Sequence, residues 1–176
     1  MSDKITGIHH ITAIAGNAKR NLDFYTRVLG QRLVKRTVNF DDPGTYHFYY
    51  GNETGTPGTI LTFFPWEGIV NGRAGAGMAT EIGYAVSKDA LSFWGDRFRE
   101  LKVRQGEPAE RMGEVYLPFQ DPDGLNISLI ATNDPDDRPA WSTPEVSAAV
   151  GTKGFHSVTL TLREIGPTAA ILTEVF

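Results

Sequence analysis

The stretch Gly7-Ile8-His9-His10-Ile11-Thr12 returns 147 residues later as Gly154-Phe155-His156-Ser157-Val158-Thr159. The following segment keeps the same offset, with Tyr25-Thr26-Arg27-Val28-Leu29 matching Leu172-Thr173-Glu174-Val175-Phe176. A third copy lies between them and aligns through Leu22-Asp23-Phe24-Tyr25 against Leu91-Ser92-Phe93-Trp94, at an offset of 69. Self-similarity at fixed spacing defines the unit from which a fold is built, so it outranks any single motif.

Working outward from the first copy, Ile5 to Ile14 reads as a strand and Ala15-Gly16-Asn17 as a turn. Asn17 can cap a helix from Ala18 to Leu29, with Leu22, Tyr25, Val28 and Leu29 on one face. Gly30 supplies the left-handed residue that ends it. Strands follow at Gln31 to Phe40, Tyr46 to Tyr50 and Thr59 to Phe64, divided by turns rich in Gly, Pro and Asp. The pattern is β-α-β-β-β. It recurs as a strand from Thr80 to Val86 and a helix capped by Ser87 with Leu91, Trp94, Phe98 and Leu101 on one face. Strands at Val103 to Glu107, Glu114 to Gln120 and Leu125 to Ala131 complete it, with Asp121-Pro122-Asp123-Gly124 as the last turn.

The expected organisation is therefore two βαβββ modules within residues 1–132 (5–64 and 78–131), a linker over 133–153, and the start of a third module at 154–176. Pro167 suits the first turn of the third module's helix. The expected class is α+β, with paired modules curling their mixed sheets into a cup and helices outside. A third module without its later strands reads as part of a longer, four-module protein.

Composition narrows the functional classes. A hydrophobic share of 40% and a charged share of 22% are those of a globular protein. A net charge of -4 gives no footprint for nucleic acid. There is no cysteine, so a metal must be held by His, carboxylate or water. No apolar run approaches the roughly 20 residues of a membrane span, and Met1-Ser2-Asp3-Lys4 lacks the apolar core of a signal peptide. Cytoplasmic residence is expected. The loop Gly72-Arg73-Ala74-Gly75-Ala76-Gly77 lacks the Lys-Ser/Thr ending of a phosphate loop.

The four histidines are His9, His10, His47 and His156. Neighbours in a strand face opposite sides, so His9 and His10 do not easily ligate one metal together. The face of His10, Thr12 and Ile14 is a candidate for the cavity side, and His9 with Ile11 and Ala13 then packs toward the helices. His47 stands among Tyr46, Phe48, Tyr49 and Tyr50, where packing or a hydrogen bond is expected. His156 is expected to be structural. Arg32, Lys35 and Arg36 read as a solvated strand edge, and Asp134, Asp136 and Asp137 as a solvated turn. The closing strands Ile60 to Phe64 and Asn126 to Ile130 contain no carboxylate.

The repeats, the opening Ile8-His9-His10-Ile11-Thr12 and the turn Asp121-Pro122-Asp123-Gly124 resemble the vicinal-oxygen-chelate superfamily of glyoxalases, bleomycin-resistance proteins and extradiol dioxygenases. Within it, Leu29 to Val38, Tyr46-His47-Phe48-Tyr49, Gly55-Thr56-Pro57-Gly58-Thr59 and Gly154 to Thr159 are most similar to ring-cleaving hydroquinone dioxygenases. That resemblance implies a non-haem Fe(II) site, with Mn or Zn as alternatives, acting on a small aromatic diol and O2. It implies that His10 is the metal ligand, with His9 and Thr12 beside it as catalytic neighbours. It also implies that the second His and the Glu come from a fourth module paired with the first, so that residues 1–176 alone are inactive. Open sheet edges lead us to expect a homo-oligomer. The alternative is a metal-free small-molecule binding module of the bleomycin-resistance type. A glyoxalase-like lyase is disfavoured, because neither complete module carries a His and Glu pair.

Overall fold

The computed structural model describes residues 5–70 and 72–175, so the expectations for Met1 to Lys4 and for Phe176 lie outside them. Period-two alternation in the apolar segments produces two sheets. The first has the order β1-β4-β3-β2: β1 (His10–Ala15) is parallel to β4 (Ile60–Pro65), and β3 (Tyr46–Gly51) pairs antiparallel with both β4 and β2 (Arg32–Val38). The second has the order β6-β7-β8-β5-β9. In it β5 (Met78–Val86) is parallel to β8 (Asn126–Ala131), followed by β7 (Glu114–Gln120) and β6 (Ala109–Arg111). β9 (Gly154–Thr161), the first strand of the third repeat, pairs antiparallel along the other edge of β5. The arrangement is the α+β one expected, with two mixed sheets.

The helices are α1 (Ala18–Asp23), α2 (Ala90–Glu100) and α3 (Gly166–Glu174). Asn17 Oδ1 accepts the Arg20 N–H at 2.9 Å and so caps α1. The helix expected to run to Leu29 widens into a π-helical turn at Phe24–Val28, closed by a Leu29 N–H to Phe24 carbonyl bond of 3.0 Å. The wider turn lets the consecutive residues Phe24 and Tyr25 both bury their rings. Ser87 offers its carbonyl, not its side chain, to Ala90, and α2 begins there. The strand expected at Val103 to Glu107 is interrupted: Gln105 makes an isolated bridge to Phe119, and regular pairing starts at Ala109. Pro118, opposite, has no N–H to donate, and Gly106 lies so close that an added Cβ would meet its ring at 3.0 Å.

One core joins both modules, with Leu61, Phe63, Leu117 and Ile127 from the sheets meeting Tyr25, Trp94 and Phe98. Polar ties cross it. Tyr25 Oη donates to Asp121 Oδ2 at 3.1 Å, while Asp121 Oδ1 accepts the amides of Asp123 and Leu125, each at 2.9 Å. Arg97 of α2 donates to the carbonyls of Val28 and Arg27, at 2.9 and 2.6 Å, satisfying the end of the first helical segment. The connection after β8 is packed and not a loose tether, since Val146 is fully buried in the core. It sits over Gly30, whose φ of +65° and whose distance of 2.8 Å from a built Cβ to Val146 Cβ both demand glycine.

The two sheets differ in one respect that positions the site. The outer edge of β5 is occupied by β9. Among the described residues, the corresponding edge of β1 has no strand against it.

Candidate functional site

Along β1 the alternation is clear: Ile11, Ala13 and Ala15 join the core side, and His10, Thr12 and Ile14 are exposed on the opposite face. His9 departs from the expected placement with Ile11 and Ala13. It lies just before β1 begins, where strand alternation does not govern it, and it is exposed. Its ring stands edge-on to that of His10, with centroids 5.2 Å apart, an interplanar angle of 86° and Nδ1 atoms 3.1 Å apart. One of the two nitrogens carries the shared proton, so His10 is oriented through Nδ1 and Nε2 is its remaining donor atom.

Register extends this face across the sheet. Thr12 lies beside Thr62, which donates to it Oγ1 to Oγ1 at 2.9 Å, and Thr62 lies beside Tyr49. Tyr49 is paired in turn with Lys35, and the next row along β3 and β2 pairs His47 with Thr37. Lys35 is not simply a solvated edge residue, because its Nζ stands 5.4 Å from the centroid of the Tyr49 ring. His47 packs between Phe64 and Tyr49, with centroid distances of 4.0 and 4.2 Å, and its Nδ1 lies 2.9 Å from Tyr49 Oη. Burial holds its imidazole below the ordinary histidine range, and the charges of Lys35 and His10 add to the effect. Tyr49, Thr62 and Lys35 are site-lining residues that motif reading overlooks. The alternation of β3 could have revealed Tyr49 once the open face of β1 was known.

The donor set can be tested for a metal. Imidazole suits a transition-metal ion, and His10 offers one with its orientation fixed. Among the described residues, no three His, Cys, Asp or Glu side chains lie close enough to hold an ion together. This face therefore fits one third of a two-His, one-carboxylate set.

The second sheet's corresponding face holds a cavity of about 390 Å³, lined by Arg111, Glu114, Tyr116, His156, Ser157 and Thr159, with polar contacts among its own residues. Glu81 accepts from Arg111 at 2.5 Å and from Ser128 at 3.0 Å, and Arg111 lies 4.6 Å over the Tyr116 ring. Ser157, the repeat's counterpart of His10, faces Gly83 there. His156 pairs with Glu114 at 3.0 Å, a contact between β9 and β7.

The chain is 46% identical over 175 residues to a Bacillus subtilis (strain 168) protein provisionally named ring-cleaving dioxygenase MhqO, covering 99% of this chain and 55% of that one. It is 37% identical to the chlorohydroquinone/hydroquinone 1,2-dioxygenase of Sphingobium indicum, over 92% of this chain and 51% of that one. The crystal structure of a provisionally named dioxygenase from Bacillus subtilis subsp. subtilis matches with a TM-score of 0.93 and 45% identity, covering 99% of this chain and 56% of that one. The chain thus spans about half the length of the curated relatives it matches. The model of the Glyoxalase/Bleomycin resistance protein/Dioxygenase superfamily matches residues 7–129, from the approach to β1 into β8, and the chain belongs to that superfamily.

Proposed function

We propose that the protein is a metal-dependent, ring-cleaving dioxygenase of hydroquinone or catechol substrates, and that the open face of β1-β4-β3-β2 is one wall of its active site. The observation that carries this reading is His10, exposed on that face with its ring held through Nδ1 by His9. The names and extensive identity of the relatives support the same class.

His10 is the residue that would hold the ion, by Nε2. His9 fixes the ring, and Thr12, bonded to Thr62, forms the polar floor beside it. A bound Fe(II), or Mn or Zn in its place, supplies a meeting point for an aromatic diol and O2. The remaining donors, a second His and a carboxylate, are proposed to arrive on a strand laid along the free edge of β1, as β9 lies along β5. In this reading residues 5–64 and 78–131 are two modules, 133–153 connects them to the next, and 154–176 opens a third that completes the second sheet's cup. Residues 1–176 alone are then inactive.

The test is oxygen uptake with hydroquinone and catechol after Fe(II) loading, for residues 1–176 and for the reading frame that contains them. Turnover is expected only where the remaining donors are present. Stoichiometric iron binding and turnover by residues 1–176 alone would refute the incomplete site.

A further inference from the structure

The polar group formed by Tyr49, His47 and Lys35 is not explained by metal binding. It lies on the same face as His10, separated from it by the Thr12 and Thr62 pair. Two strand spacings of about 4.8 Å and one row step of about 7 Å put Tyr49 roughly 12 Å from His10, backbone to backbone. A span of that length can hold one benzenoid ring between side chains at the two positions.

The contacts fix what Tyr49 can offer. Its Oη is bonded to His47 Nδ1 at 2.9 Å, and the His47 ring is locked between Phe64 and Tyr49 itself. The Nε2 of His47 is buried with no hydrogen-bond partner among the described residues, so the bond to Tyr49 Oη is the polar contact that sets this ring. The Lys35 ammonium over the Tyr49 ring stabilises electron density on the phenol. That favours the arrangement in which the phenol donates its proton to the imidazole and keeps its oxygen lone pairs for a guest. An imidazole held below its ordinary range stays neutral, so it is able to accept this bond and is a poor base for the guest's proton.

We propose that Tyr49, fixed by His47 and Lys35, is the specificity-determining residue of this wall: its oxygen accepts a hydrogen bond from the substrate hydroxyl remote from His10. It binds the hydroxyl without removing its proton. The ligand class is a diol whose second hydroxyl is free, and a methyl ether at that position leaves the Tyr49 oxygen unpaired. This inference rests on the functional reading above.

The probes are hydroquinone and 4-methoxyphenol, titrated separately against the metal-loaded product of the reading frame that contains these residues, in the wild type and in Tyr49→Phe. The wild type is expected to prefer hydroquinone by about tenfold, the worth of one well-placed hydrogen bond. Tyr49→Phe is expected to bring the two affinities within twofold with unchanged metal content. It also frees His47 Nδ1, which moves that nitrogen's resonance in a ¹⁵N spectrum. Lys35→Met, at an exposed position, is expected to reduce the preference to about threefold and serves if Tyr49→Phe does not fold. A preference that survives in either variant at its wild-type size overturns the role of Tyr49 alone. Metal-loaded wild type that binds neither probe overturns the functional reading with it.

Discussion

Replacing Tyr25 by Phe removes one oxygen from the joint between the two modules and leaves the ring, which is stacked on Tyr50 at 4.9 Å and packed on Phe63 at 4.7 Å. The lost bond is the one to Asp121 Oδ2, on a carboxyl only 5% exposed. A hydrogen bond to a buried charged group contributes about 1.5–3 kcal/mol, so a loss of about 2 kcal/mol is expected at neutral pH. At about 2–4 °C per kcal/mol for a chain of this size, the melting temperature should fall by about 4–8 °C. The loss should depend on pH. Asp121 is held above the ordinary carboxyl range, chiefly by burial, against the opposing pull of the Leu125 and Asp123 amides and the Tyr25 hydroxyl. A carboxyl with a raised folded-state value contributes stability that is present at low pH and lost as pH rises through that value. Tyr25→Phe removes one of the groups favouring the carboxylate and raises the value further. The deficit should therefore be full at pH 7 and shrink toward about 1 kcal/mol, the worth of a neutral hydrogen bond, once acid has protonated Asp121. Tyr25 itself remains a neutral donor throughout, because burial and the Asp121 charge push its phenol upward. Urea denaturation at several pH values measures both quantities. A deficit that is unchanged from pH 7 down through the protonation of Asp121 would refute the carboxylate as the cause.

Gly30→Ala must adopt a left-handed backbone, at about 1–2 kcal/mol, and crowd Val146, at about 1–3 kcal/mol more; thermal melting should show a combined loss of about 2–5 kcal/mol. Arg97→Met removes the guanidinium that lies 6.0 Å over the Phe93 ring and leaves the Val28 and Arg27 carbonyls without that donor, and a loss of about 1–2 kcal/mol is expected in urea titration. Glu114 is held below the ordinary carboxyl range, first by the Asn133 amide at 2.9 Å and also by His156. That contribution is present above the ordinary value and lost as pH falls through the folded one, so Glu114→Gln should cost about 1 kcal/mol at pH 7 and nothing measurable in acid, by chemical denaturation.

Much of the framework can be read from the first two copies of the repeat, each of which sets its first strand parallel to its last and packs its helical segment on the core, whereas the third copy's helix, α3, buries no residue. The offset that aligns His9 with His156 also marks a strand from Gly154, and β9 is that strand, paired with β5. What cannot be read locally is where alternation starts and stops. His9 falls outside the strand, so it meets His10 instead of turning away from it. In β2 a bulge lies between Leu33 and Lys35. Leu33 pairs with Tyr50 and packs on the core, whereas Lys35 pairs with Tyr49 on the open face, so the bulge separates two residues that simple alternation would put on one side. The bond from Tyr25 to Asp121 spans 96 positions in sequence and leaves no local signal at either end. The π-helical turn is equally hidden, since its residues satisfy an ordinary helical pattern.

With only four histidines, the role of His10 can be tested by a set of single substitutions read as metal content after purification. In the reading frame that contains these residues, His10→Ala should abolish bound iron, and His9→Ala should lower affinity about 10–100-fold through the lost orientation of the His10 ring. His47→Ala and His156→Ala should retain the metal. Full iron occupancy in His10→Ala, or its loss in His156→Ala with the fold intact, would contradict the assignment of the site to the face of β1.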